Sequence, residues 1–140
     1  MSLYDLIIVG AGPVGLYATY YAGLRKMKTK LIDALPQLGG QMTALYPEKY
    51  IYDVAGFPKV LSKDLAKNLE EQALQYNPDI LLNQKINELK VINDSGDRVY
   101  ELLSETGVSH FAKSIILCVG VGAFMPRKLD LYDVKKLEGK

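Results

Sequence analysis

The chain has one cysteine, one histidine and no tryptophan among its 140 residues. A single thiol, Cys118, excludes an internal disulfide and any two-cysteine redox pair within these residues. An excess of either charge is also missing: 17 Lys and Arg stand against 16 Asp and Glu, for a net charge of +1. Nucleic-acid and membrane-surface binders need a one-sided excess, so neither partner is expected. Long apolar runs are lacking as well. Leu6–Val9 and 115–119 are far too short to span a bilayer. No basic-then-apolar leader precedes the first strand, which makes a soluble, cytoplasmic protein the expectation. What remains is an ordinary globular balance, 49% hydrophobic and 24% charged, with room for one domain around one sizeable core.

The order of elements is legible from period and punctuation. The run from Tyr4 to Val9 is short and rich in β-branched residues, as a buried parallel strand requires. Gly10-Ala11-Gly12-Pro13-Val14-Gly15 interrupts it, and a helix is predicted to about Lys26, with Val14, Ala18, Tyr21 and Ala22 along one face. Pro13 suits the first turn, where its missing N–H costs nothing. Arg25, Lys26 and Lys28 would complement the dipole at the helix end. A strand over 30–33 ends in Asp33. Residues 34–60 read as irregular. Ser62 is placed to cap a helix over about 63–76, with Leu65, Leu69, Ala73 and Tyr76 on one side. A third strand at 80–82 follows Asn77-Pro78. Segments at about 86–92, 98–103 and 108–112 are separated by turn residues at 94–97 and 105–107, which predicts an antiparallel meander. A buried strand over 114–119 closes the series, and the charged tail reads as a linker. The fold class is therefore α/β: a Rossmann-like, doubly wound parallel sheet with an inserted antiparallel β-meander.

A Gly-x-Gly-x-x-Gly sequence alone is weak, but here it follows a strand, opens a helix and precedes a strand ending in an acid. Gly10 allows the tight turn, Gly12 admits a pyrophosphate to the backbone, and Gly15 permits close helix packing. The helix N-terminus offers free N–H groups and a positive dipole end to phosphates. Asp33 can accept hydrogen bonds from a ribose and repels a 2′-phosphate, so the site should take FAD or NAD rather than NADP. Gly39-Gly40-Gln41 and Tyr46 follow, which an NAD dehydrogenase does not need. They are expected where the chain runs close beside a longer cofactor, Gln41 offering an amide and Tyr46 an aromatic face to a flavin.

Leu35-Pro36-Gln37-Leu38-Gly39-Gly40-Gln41 and Ala44-Leu45-Tyr46-Pro47-Glu48-Lys49-Tyr50-Ile51-Tyr52-Asp53-Val54-Ala55-Gly56-Phe57-Pro58 resemble the thioredoxin-reductase-like ferredoxin–NADP reductases, within the wider pyridine nucleotide-disulfide oxidoreductases. Gly122-Ala123-Phe124 and Pro126-Arg127-Lys128-Leu129 are similar to the same family, where the first FAD segment passes into the NADPH domain. The resemblance implies a parent enzyme carrying electrons from NADPH through FAD to ferredoxin or flavodoxin, as a homodimer. Thioredoxin reductase, or a non-catalytic dinucleotide-binding module, are the alternatives. It implies that residues 1–124 are the N-terminal segment of an FAD domain and 125–140 a linker toward an NADPH-binding domain. Gly10, Gly12, Pro13 and Gly15 would lie at the pyrophosphate and Asp33 at the ribose, where many relatives carry Glu. Gln41, Tyr46 and Phe124 would sit by the flavin, and Ile86 would meet the adenine end through its backbone. No catalytic acid, base, nucleophile or metal ligand is expected. His110 reads as a solvated surface residue, and Cys118 as a buried, inert thiol.

Overall fold

In a computed structural model, residues 2–94 and 97–122 are described. The run from Tyr4 to Val9 is not one strand. β1 (Leu3–Tyr4) and β2 (Leu6–Val9) are divided at Asp5, whose carboxylate accepts the Lys28 backbone N–H and the Lys113 ammonium. The two halves enter different sheets. β2 is central in a four-stranded parallel sheet with β3 (Thr29–Ile32), β6 (Asp79–Leu81) and β10 (Ile115–Leu117), in the order β10-β2-β3-β6. By chain order that is 4-1-2-3, one half of the doubly wound arrangement. β1 pairs in parallel with β9 (Ser109–Ala112), at the edge of a second sheet ordered β1-β9-β8-β7. That sheet contains the expected meander: β7 (Ile86–Asp94), β8 (Asp97–Ser104) and β9, all antiparallel.

Strand alternation makes two cores. Leu6, Ile8 and Leu31 point to one face of the parallel sheet, against Leu16 and Ala22 of α1 (Pro13–Leu24) and Ala73 of α3 (Ser62–Leu74). Ile7, Val9 and Ile32 point to the other, against Tyr4, Leu102 and Ala112 of the meander sheet. Helices, parallel sheet and meander thus form three layers. The stretch 34–60 is less irregular than expected. It holds the one-turn helix α2 (Gln41–Ala44) and a small antiparallel pair, β4 (Tyr50–Ile51) with β5 (Val60–Leu61).

Several local expectations are corrected. α1 buries Gly15, Leu16, Thr19 and Ala22, while Val14 is 68% exposed and Tyr21 lies outside. This helix is apolar nearly all round, so its period could not say which side meets the sheet. It ends at Leu24 with no base in its last turn; Lys28 and Lys30 instead set their ammonium groups over the Tyr4 ring. Ser62 is the first residue of α3, not its cap, and its hydroxyl donates to the Met42 carbonyl 3.2 Å away. β10 is not buried: Leu117 is 64% exposed, because among the described residues this edge strand pairs with β2 alone and keeps one flank open. His110 is not solvated either. It is 6% exposed on the inner face of β9, facing the parallel sheet.

Candidate functional site

The C-terminal ends of β2, β3 and β10 open into one cleft of about 780 Å³, within the range of small-molecule sites. Its floor is formed by Gly10, Gly12, Pro13 and Val14. Gly10 has φ +105°, and a Cβ there would stand 2.2 Å from the Cys118 carbonyl oxygen, so only glycine fits where β10 crosses the loop. Gly12 is the reverse case. It has extended backbone at φ −71°, and a Cβ would find nothing within 4 Å. The space above Gly12 is cleft, at the N-terminus of α1, where unpaired N–H groups and the dipole favour an anion. Gly15 does not line the cleft. It lies beneath the loop, where a Cβ would come within 1.7 Å of the Gly10 carbonyl oxygen.

The second glycine pair is bound directly to the first loop. The Gly39 N–H donates to the Ala11 carbonyl at 2.9 Å. Gly40, at φ +59°, lies so close that its Cβ would meet the Gly12 Cα at 2.9 Å. This contact delivers Gln41, at the start of α2, to the cleft wall. Tyr46 lines the same wall and packs on a small core of Met42, Leu65 and Ala66. Ring packing and cleft lining are both true of this tyrosine.

Asp33 sits at the end of β3, 9% exposed, with its carboxylate already engaged. One oxygen accepts the Ala11 N–H and the other accepts the Leu35 N–H at 2.7 Å. It therefore braces the glycine loop against the next loop while lining the cleft. Its carbonyl accepts the Gln84 N–H at 2.9 Å, which brings Gln84, Lys85 and Ile86 to the far end. Sequence reasoning missed Gln84 and Lys85; polar residues ahead of a strand carry no motif. Cys118 lines the cleft half-buried, and burial pushes its thiol pKa up, which keeps it protonated. Phe124 and residues 125–140 lie outside the described residues.

Among the described residues, no group of three or more His, Cys, Asp or Glu could hold a metal, and no helix is long and apolar enough to cross a membrane. The geometry suits a dinucleotide: open space over Gly12 at a helix N-terminus, with an acid, an amide and an aromatic ring lining the same cleft. The class is a Rossmann-like dinucleotide-binding fold, and residues 8–57 match the NAD(P)-binding Rossmann-like domain family. Along nearly all its length the chain is similar in sequence to ferredoxin–NADP reductases. It is 52% identical to ferredoxin–NADP reductase 2 of Chloroherpeton thalassium, over 96% of this chain and 38% of that protein. It is 48% identical to the ferredoxin–NADP reductase of Halalkalibacterium halodurans, over 99% of this chain and 41% of that protein. The chain thus spans about two-fifths of the length of these relatives. Among solved structures it resembles thioredoxin reductase from Streptococcus pyogenes, with TM-score 0.68 and 25% identity over 82% of this chain and 34% of that one. A flavin-containing monooxygenase from Stenotrophomonas maltophilia, 15% identical with TM-score 0.68, covers 91% of this chain and 42% of its own and shares the fold.

Proposed function

We propose that this chain is the FAD-binding portion of a flavoprotein oxidoreductase that passes electrons from NADPH through FAD to ferredoxin or flavodoxin. One observation carries the reading: Gly12 faces open cleft at a helix N-terminus, and a second glycine pair is packed against it to extend the wall toward Gln41 and Tyr46. That extension gives a wall to the ring system beyond the pyrophosphate, and the Gln41 amide and Tyr46 ring suit a flavin there. The relatives' names support ferredoxin and NADP as the electron partners. Similarity of 52% to a ferredoxin–NADP reductase outweighs 25% to a thioredoxin reductase in choosing between acceptors.

Bound here, FAD would supply the redox chemistry, taking a hydride equivalent and giving up single electrons. The chain's own residues position it. Gly10, Gly12 and Pro13 admit the pyrophosphate to the start of α1, while Gly15 lets the helix lie close beneath. Asp33 accepts from the ribose with its remaining lone pairs and disfavours a 2′-phosphate, which leaves NADPH to another domain. The Ile86 backbone meets the adenine, Gln41 and Tyr46 flank the flavin, and Phe124 joins them. Residues 1–124 form the first segment of the FAD domain and 125–140 lead toward the NADPH domain, in a cytoplasmic homodimer. The test is to purify the full-length protein, record its visible spectrum and assay NADPH-dependent reduction of ferredoxin, flavodoxin and thioredoxin. A yellow protein that reduces ferredoxin or flavodoxin supports the reading. Turnover with thioredoxin alone transfers the chain to the other reductase class, and a colourless protein that takes up no FAD refutes it.

A further inference from the structure

The turn joining β8 to β9 is bonded to Gln84 and Lys85 at the far end of the cleft, and its hydrogen bonds run in one direction. The Val108 N–H donates to the Ser104 hydroxyl oxygen at 3.1 Å. The Ser104 and Thr106 hydroxyls are 2.9 Å apart, and the Thr106 hydroxyl reaches the Gln84 side-chain oxygen at 3.1 Å. A backbone N–H can only donate, so Ser104 must accept at the start of the chain. Ser104 is 3% exposed, and its hydroxyl has no further acceptor among the described residues. If the chain ran the other way, with Gln84 donating to Thr106 and Thr106 to Ser104, Ser104 would accept twice and leave a buried O–H unsatisfied. That arrangement carries a desolvation penalty the forward direction avoids. Ser104 therefore donates to Thr106, which leaves the Thr106 hydroxyl its own proton, placed to donate to the Gln84 side-chain oxygen.

The consequence is at Gln84. Its oxygen is held by Thr106, so its two remaining polar groups are the N–H donors of the amide nitrogen. Among the described residues nothing accepts from them. Gln84 lines the cleft, and its backbone N–H is tied to the Asp33 carbonyl, which sets it beside the ribose end. The turn is fastened to the same strand by the Glu105 N–H on the Lys85 carbonyl at 2.8 Å and a Lys85–Glu105 ion pair at 3.7 Å.

We propose that Gln84 is a specificity-determining residue of the cleft, presenting amide donors to a ring nitrogen of the purine, and that Thr106 is the positioning residue that fixes its orientation. The proposal deepens the FAD reading and rests on it. A purine offers bare ring nitrogens as acceptors, which an amide held donor-side out can serve and one turned the other way would repel.

The experiment strips flavin from the full-length protein and titrates it with FAD by fluorescence quenching, with ADP as competitor. Gln84→Leu is expected to weaken FAD about tenfold and Thr106→Val about three- to tenfold, the scale of one hydrogen bond. Thr106→Ser, which keeps the hydroxyl, should bind as the unaltered protein does. ADP carries only the adenine half and should lose affinity by the same factors. Thr106→Val should add nothing in a Gln84→Leu background, because its effect passes through that amide. Additive losses, or single variants with unchanged affinity in a protein that takes up FAD normally, overturn this proposal alone. An unaltered apoprotein that takes up no FAD overturns the functional reading and this proposal with it.

Discussion

Substituting alanine at Gly12 and at Gly15 separates binding from folding within one loop. At Gly12 the backbone already has extended angles open to any residue, and a Cβ meets nothing within 4 Å. The folded protein gives up no contact, and the unfolded chain loses freedom, so Gly12→Ala should leave stability unchanged or raised by about 0.4–1 kcal/mol. The methyl group would, however, stand where a pyrophosphate must approach. Displacing it from the α1 N-terminus loses one or two hydrogen bonds to a charged group at about 1.5–3 kcal/mol each. A net loss of roughly 2–4 kcal/mol corresponds to a thirty- to thousandfold weaker FAD complex. At Gly15 the added carbon would sit 1.7 Å from the Gly10 carbonyl oxygen and 2.9 Å from its carbon. Both are backbone atoms that cannot swing aside, so Gly15→Ala should destabilise the apoprotein by about 1–3 kcal/mol or more. Thermal denaturation of the apoproteins and FAD titration read the two effects independently. A Gly12→Ala protein with unaltered FAD affinity would refute the assignment of the loop, and one that melts early would refute the geometry.

Three further outcomes are expected. Asp33→Asn should weaken FAD by about 1–3 kcal/mol and also loosen the loop, because an amide can accept from only one of the Ala11 and Leu35 N–H groups; equal affinity and equal melting temperature would remove Asp33 from both roles. Burial, and then the nearby Lys30 charge, hold the His110 pKa below its ordinary value. The fold then binds fewer protons than the unfolded chain, so stability is lost as pH falls below about 6.5. Urea denaturation at pH 7.5 and 5.5 should show that loss, and His110→Leu should reduce it; an unchanged acid limb would refute the role. Finally, residues 1–140 alone should hold FAD weakly and fail to oxidise NADPH, because the chain has one Gly-x-Gly-x-x-Gly loop and an acid beside it hostile to a 2′-phosphate. A stably yellow, active polypeptide of these residues would contradict this.

Much of the architecture was legible because it is written in local chemistry. The strand before Gly10, the helix after Pro13, the acid at the end of β3 and the Glu105-Thr106-Gly107 turn each follow from neighbours in sequence. Gly39 and Gly40 signal a close approach, read from sequence as one to a longer cofactor; in the structure they pack against Ala11 and Gly12. Other features depended on contacts between distant segments. The buried side of α1 could not be chosen from a helix apolar nearly all round, and packing against the parallel sheet selected Gly15, Leu16, Thr19 and Ala22. His110 looked polar and local, yet the meander folds its inner face onto the parallel sheet. Ser62 has the character of a helix cap but finds the Met42 carbonyl, 20 residues away. Gln84 gains its orientation from Thr106, 22 residues on, through a turn that only strand pairing brings back. The sequence by itself determined which backbone positions must be small, bent or periodic, since those are properties of a residue and its nearest neighbours. Only the tertiary structure decided which surfaces are buried and which way hydrogen bonds run, because those depend on partners that local sequence does not hold.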